Sequence, residues 1–442
     1  MKYPNILTEL PGPKSRKLID LDNKYVSSSY TRYYPLTIKR ANGVLVEDLD
    51  GNIFLDFSAG IAVNSSGHTH PEIVKVIKEQ AEKFIHMSGT DFYYEPQVYL
   101  AKKLSEIVPI PGEKKVFFGN SGTEAVEAAI KLSRHHTKKH GFIAFYGSFH
   151  GRTMGSLSLT ASKSIQRKGM GPFLSEVYHT PYAYCYRCVF GKEENTCETE
   201  CVNFIKEYIF EKLASPDDIA AIIVEPIQGE GGYIIPPKKF FTELKKLCVE
   251  YKILLIIDEI QSGMGRTGKM FAFEHFDITP DILCLAKGIA SGMPLGVIIS
   301  RAELMNWPSG AHASTFGGNP ISSSAALATI KLLQEELIEN AKKMGELLLS
   351  KMKKYCQDYE IVGDIRGLGL MIGIELVEDK KSKRKAKQKK DMLVQQCFKR
   401  GLLILGAGEN VIRFCPSLNI TEENIDVAIE IFYKSLKDVE KS

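Results

Sequence analysis

Apolar and polar positions follow several rhythms along this chain. Near the start, GVLVEDLDGNIFLDFSAG alternates over two short runs joined by Asp50-Gly51, a strong hairpin signal. A 3.6-residue rhythm around PEIVKVIKEQAEKF predicts a helix. From about residue 115 the pattern is strand, turn, helix, repeated: KVFFGN runs into SGTEAVEAAIKLSRHH, and GFIAFYGS, IAAIIVEPI, FFTELKKLCVEYK, ILLIIDE and ILCLAKG follow. Near-continuous apolar strands alternating with helices predict an α/β fold, a mostly parallel sheet flanked by helices. Sites in such sheets lie at the carboxyl ends of the strands. From about residue 330, helical patterns surround LGLMIGIELVED and LLILGAGENVIRFCPSLNIT, which predicts a smaller α+β domain. The expected division is an N-terminal arm and small-domain segment over 1–75, a large domain over 76–328 and a C-terminal small domain over 329–442.

Composition narrows the class. With 442 residues, one large domain and a smaller one are expected. The apolar share of 44% and charged share of 25% are those of a soluble globular protein. A net charge of +4 gives no reason to invoke nucleic acid or a membrane surface. No apolar run approaches the roughly 20 residues of a membrane span, and the start lacks a secretory apolar core, so a cytoplasmic location is expected. The first 35 residues, polar and broken by prolines, read as an arm lying on another surface such as a second subunit. The basic run KKSKRKAKQKK reads as a solvated loop or helix start.

Three segments carry candidate chemistry. In GNSGTEAVEAAIKL a glycine-containing turn opens a helix, so Ser121, Gly122 and Thr123 form either a phosphate cradle or an ordinary N-cap. The spacing matches neither the P-loop nor the dinucleotide fingerprint. In ILLIIDEIQSGMGRTGKMF an apolar strand ends in Asp258 and Glu259. A charge there is costly unless paired, and a protonated pyridine nitrogen is a suitable partner. Lys287, in CLAKGIASGMPLG, sits just past another apolar strand, where dryness favours the neutral amine that imine formation needs.

Taken together, NSGTEAVEAAIK, SFHGRT, VEPIQGEGG, IIDEIQSGMGRTG, LAKGIASGMPLG and STFGGNP resemble the class III aminotransferases, pyridoxal-phosphate enzymes of fold type I. The resemblance covers nearly the whole chain and is nearest in type to 4-aminobutyrate aminotransferase. It implies that Lys287 holds pyridoxal 5'-phosphate as a Schiff base and later shuttles protons, and that Asp258 pairs with the ring nitrogen. It implies further that Gln261 bonds the ring hydroxyl, that Ile260 and Phe149 cover the two ring faces, and that Ser121, Gly122 and Thr123 bind the phosphate. Thr315 would reach the phosphate of a neighbouring subunit, which implies a homodimer or a dimer of dimers.

For substrates, the resemblance implies that Arg152 clamps a distal carboxylate, that Arg413 binds an α-carboxylate, and that Glu230 is the switchable partner of Arg413. Ile61, in SAGIAVN, would lie over the substrate, where isoleucine suits 4-aminobutyrate and a tyrosine would suit ornithine. The implied reaction moves an ω-amino group to a 2-oxo acid such as 2-oxoglutarate. Alternatives on the same scaffold are an amino-acid racemase and an ornithine or acetylornithine aminotransferase. A pyridoxal-phosphate-binding regulator would need a DNA-binding domain, for which the first 35 residues are too short. Outside the resemblance stands YCYRCVFGKEENTCETEC, with Cys185, Cys188, Cys197 and Cys201. Its spacing is open to a structural zinc, an iron–sulfur cluster, a disulfide pair or free thiols.

Overall fold

A computed structural model of the chain describes residues 3–441. Its largest sheet has seven strands: β1 (Lys114–Gly119), β2 (Gly141–Phe145), β3 (Val177–Thr180), β4 (Ile219–Val224), β5 (Leu254–Asp258), β6 (Ile282–Leu285) and β7 (Gly296–Arg301). Their order is β1-β7-β6-β5-β4-β2-β3. Only β7 is reversed, antiparallel to both β1 and β6, while the other neighbours pair in parallel. The mostly parallel α/β sheet expected from the apolar runs is therefore present, and six strands deliver their carboxyl ends to one edge.

Strand periodicity explains why these runs lack polar positions. Along β2, Phe142 and Ala144 pack with α1 (Gly122–Thr137), while Ile143 and Phe145 pack on the opposite face with Phe240 and Leu244 of α2 (Lys238–Glu250). Successive strand side chains point to opposite faces, so covering both faces makes every position apolar.

Two four-stranded sheets complete the chain. One joins the hairpin Leu45–Asp48/Ile53–Asp56 and the strand Ile38–Asn42 to Leu402–Leu403, which pairs in parallel with Leu55 and Asp56. The other holds Val362–Leu368, Met371–Leu376, Val411–Phe414 and Leu405–Ala407. Early and late parts of the sequence thus share one sheet. The prolines of the N-terminal segment do not keep it irregular: Pro13 occupies the first turn of a helix over Pro13–Tyr25, where its missing N–H removes no bond.

Arg266, 1% exposed, fastens the large sheet to the C-terminal strands by donating from Nη1 to the carbonyl oxygens of Leu370 (3.1 Å) and Pro416. Nearby, α3 (Ile338–Cys356) crosses the turn at Gly369 so closely that a Cβ on Gly345 would lie 2.2 Å from Gly369 backbone. Alanine in a free helix gains about 1 kcal/mol over glycine. Here the sign reverses, and Gly345→Ala is expected to destabilise the chain by about 1–3 kcal/mol. A lowered urea midpoint checks this, and an unchanged or raised midpoint contradicts it.

Candidate active site

Five strand ends converge on a cavity of about 460 Å³. Ser121, Gly122 and Thr123 follow β1, Phe149 to Arg152 follow β2, Glu225 follows β4, Asp258 ends β5 and Lys287 lies just beyond β6. The reversed β7 starts at the same edge, so Met293 to Leu295 close another wall. The sheet's direction alone gathers residues more than 160 positions apart in sequence.

Asp258 is 3% exposed. Its Oδ1 accepts from Ile260 N at 3.0 Å, and its Oδ2 lies 2.7 Å from His150 Nδ1. The carboxylate is thus buried but paired, as the low-polarity setting requires. The Lys287 side chain forms no hydrogen bond or ion pair with the described residues. Burial lowers its pKa, which Asp258 partly opposes. Its φ of 48° is in the left-handed region, a strained setting of the kind that clusters at functional positions. Glu259 turns away from the cavity and accepts from the backbone N–H groups of Ala272 and Phe273, at 2.9 and 2.6 Å, which fixes the glycine-rich turn.

The helix α1 begins under the cavity. Ser121 is its N-cap, accepting from Glu124 N, and the backbone N–H groups of Gly122 and Thr123 lie in the first turn, where a helix offers no internal acceptor. A Cβ at position 122 would come within 2.8 Å of Ile260 Cδ1, so the glycine lets the Ile260 wall and the helix start approach each other. Gln261 accepts from Tyr233 Oη at 2.8 Å through Oε1, leaving its amide N–H groups as donors. Phe149 is held by its N–H, which donates to Glu225 at 2.9 Å.

These features fit pyridoxal phosphate: a half-buried amine without a partner, a buried carboxylate, donor N–H groups at a helix start and two apolar side chains, Phe149 and Ile260, on one cavity. Of the expected cofactor residues, Thr315 alone is absent from the wall; it lies exposed beside Ser314, whose Oγ accepts from Asn120 at 3.0 Å.

The expected substrate residues divide. Arg152 is on the cavity wall, with its guanidinium 5.9 Å from the Phe149 ring centre and no carboxylate partner among the described residues. Arg413 and Glu230 lie beyond that wall, close enough for their charges to act on Lys287. They pair through Arg413 Nη1 and Glu230 Oε1 at 2.7 Å. Burial works to raise the Glu230 pKa, but Arg413 and Lys163 overcome it and hold the carboxyl at about 2. Ile61 is not on the wall: the left-handed turn at Gly60 and Ile61 leaves the residue 42% exposed, and Val63 takes the wall position.

Cys185, Cys188, Cys197 and Cys201 do gather around one small cavity of about 50 Å³. Yet among the described residues no group of three or more His, Cys, Asp or Glu could hold a metal ion, and all four are free thiols. Tyr184 and Arg187 both bond Glu375, which directs the 3₁₀ turn Cys185–Arg187 toward the C-terminal sheet. Cys197 Sγ donates to Glu200 at 2.7 Å, and burial pushes the Cys185 thiol up to about 11 and the Cys201 thiol up to about 12.

Three residues escaped the sequence reading. His150 sits inside SFHGRT, and a buried histidine has no periodic signature. Glu225 follows an apolar strand as Asp258 does, and that parallel was a usable signal. Lys163, 3.2 Å from Glu230 Oε2, had none.

A family model described as aminotransferase class-III matches residues 25–436. The chain belongs to the class III aminotransferases. It is 40% identical to an alanine/serine racemase of Pyrococcus horikoshii, over 99% of this chain and 94% of that one. It is 37% identical to a 4-aminobutyrate aminotransferase of Mycobacterium leprae, over 98% of each. Among solved structures it resembles an omega transaminase from Pseudomonas jessenii in complex with PMP, with a TM-score of 0.90, 30% identity and coverage of 96% of this chain and 98% of that one. No helix among the described residues is long and apolar enough to cross a membrane.

Glu225 offers a test of the buried charges. Burial pushes its pKa up from 4.5 to about 7, with His150 opposing. The folded state therefore binds this proton more tightly than the unfolded chain, and its contribution is lost as pH rises from about 4.5 through about 7. In cofactor-free protein, Glu225→Gln should flatten the fall of unfolding free energy across this window, by at most about 1.4 kcal/mol per pH unit. Denaturant titrations at several pH values check this, and parallel slopes for both proteins contradict it.

Proposed function

We propose that the protein is a pyridoxal-phosphate-dependent aminotransferase that moves the ω-amino group of 4-aminobutyrate, or a similar amino acid, to 2-oxoglutarate. Lys287 holds the cofactor, the first turn of α1 with Ser121, Gly122 and Thr123 takes its phosphate, and Phe149 and Ile260 enclose its ring. Bound there, pyridoxal phosphate supplies an electron sink for the carbon that carries the amine. Asp258, backed by His150, keeps the proton on the ring nitrogen, and Gln261 donates to the ring hydroxyl. The Lys287 amine, once free, takes and returns the proton at the substrate carbon; tethering it beside that carbon gives the advantage of proximity. Thr315, on its exposed segment, serves a second copy of the chain, which makes the working unit a homodimer.

The observation that carries the ω-amino reading is the unequal state of the two arginines. Arg413 is already matched by Glu230 at 2.7 Å, whereas Arg152 faces the cavity without a carboxylate. A substrate with one carboxylate, distant from its amine, suits that arrangement, because arginine binds carboxylates through a planar fork. An acceptor with two carboxylates engages both arginines as Glu230 gives way.

Racemisation of an α-amino acid is the second reading, supported by the 40% identity to the alanine/serine racemase of Pyrococcus horikoshii. A panel of amino donors with 2-oxoglutarate, run beside a chirality assay without any 2-oxo acid, separates the two. Amino transfer from 4-aminobutyrate or a related ω-amino acid, strictly dependent on the 2-oxo acid, is expected. Interconversion of amino-acid enantiomers without a 2-oxo acid, and no transfer from ω-amino acids, would establish the racemase instead.

A further inference from the structure

Glu230 is bound by two cations. Arg413 Nη1 holds Oε1 at 2.7 Å, and Lys163 Nζ holds Oε2 at 3.2 Å. The partners differ in setting. Arg413 is on the buried strand Val411–Phe414 and is 6% exposed through its side chain, while the Lys163 side chain is 37% exposed. Lys163 stands in the loop after the helix Met154–Leu159, and with Gly231 it also lines a second cavity of about 740 Å³. The lysine therefore has room to follow a moving carboxylate. The turn that carries Glu230 has less freedom: its carbonyl accepts from Gly408 N at 2.7 Å, so movement is left to the side chain.

Charge counting gives this arrangement a consequence. Without Lys163, Glu230 and Arg413 sum to zero, and an arriving α-carboxylate would leave a net negative cluster at a buried site. With Lys163 the cluster carries one positive charge, and one arriving carboxylate brings it to neutrality. When that carboxylate takes Arg413, Glu230 is not stranded, because its other oxygen already holds Lys163. An anion released into a dry site without a partner is strongly disfavoured.

We propose that Lys163 is a specificity-determining residue: it receives Glu230 when Arg413 is taken, and so sets the affinity of the site for substrates bearing an α-carboxylate. Lys163 acts through Glu230 and is a positioning residue. The proposal rests on the reading of Arg413 as the α-carboxylate site. A lysine that merely clamped Glu230 onto Arg413 would have the opposite effect on such substrates, so the sign of the change is diagnostic.

The test compares 2-oxoglutarate with succinate semialdehyde, which differs from it by the α-carboxylate alone. Equilibrium binding of each to cofactor-loaded protein is measured by calorimetry for the parent, Lys163→Gln and Lys163→Arg. The expected result is that Lys163→Gln weakens 2-oxoglutarate relative to succinate semialdehyde by at least fivefold, that Lys163→Arg restores most of the ratio, and that added salt narrows the difference. An unchanged ratio, or a ratio shifted toward 2-oxoglutarate, overturns the proposal. A parent protein that binds both compounds with equal affinity overturns it as well. Because the readout is binding, a failure of amino transfer in the parent is a separate result and counts against the catalytic reading alone.

Discussion

A carboxylate at the end of an apolar strand must be paired, and the cavity is arranged around that requirement. Asp258 is 3% exposed, and the sheet that buries it supplies its partners: His150 from the loop after β2 and the N–H of Ile260 from its own turn. A second buried carboxylate, Glu225, stands beside it and receives the N–H groups of Phe149 and Gly229. The two carboxylates work against each other, and Lys287 is close enough to feel both. In such a setting a neutral amine and a cationic ring are mutually favoured, since burial disfavours the charged lysine while Asp258 favours a cation. The chemistry of the site is thus a consequence of where a parallel sheet places its strand ends.

A similar rule governs the C-terminal sheet. Glu375, on the strand Met371–Leu376 and fully buried through its side chain, is met by Arg187 and Arg366 and by the hydroxyl of Tyr184. This network ties the cysteine-bearing segment to the strands that carry Arg413. Arg266 makes a parallel link from the glycine-rich turn after β5 to Leu370 and Pro416. Buried ion pairs of this kind add little net stability, but removing one partner strands the other. The position of Arg413 relative to Lys287 is held by these contacts across the structure.

Much of this was legible in the chain because it depends on local pattern. Unbroken apolar runs announced strands covered on both faces, and the residues just past them, Ser121, Asp258 and Lys287, fell at one edge as parallel pairing dictates. The hairpin around Asp50-Gly51 was equally plain. What depends on distant packing was not legible. Nothing in SFHGRT says that its histidine faces a carboxylate 108 positions later. Pro4, Pro11 and Pro13 suggested a broken arm, yet Pro13 opens a helix. The cysteine spacing does not encode what holds its segment in place, which is Tyr184 and Arg187 reaching Glu375. Ile61 followed the same logic: its backbone turn, and not its place in a motif, decides what it faces.

The central claim is that Asp258 exists to stabilise a cation in the cavity. Its most direct test is the rate of the first half-reaction, amino donor with cofactor-loaded protein, in Asp258→Asn against the parent, at saturating cofactor and with folding checked by circular dichroism. Asparagine keeps the shape and one acceptor oxygen, but it replaces the other oxygen by an N–H donor and loses the charge. The account predicts a fall of at least about 100-fold, corresponding to roughly 3 kcal/mol of electrostatic stabilisation in the transition state. A folded, cofactor-loaded Asp258→Asn protein that reacts within about threefold of the parent rate, well under 1 kcal/mol, would contradict it.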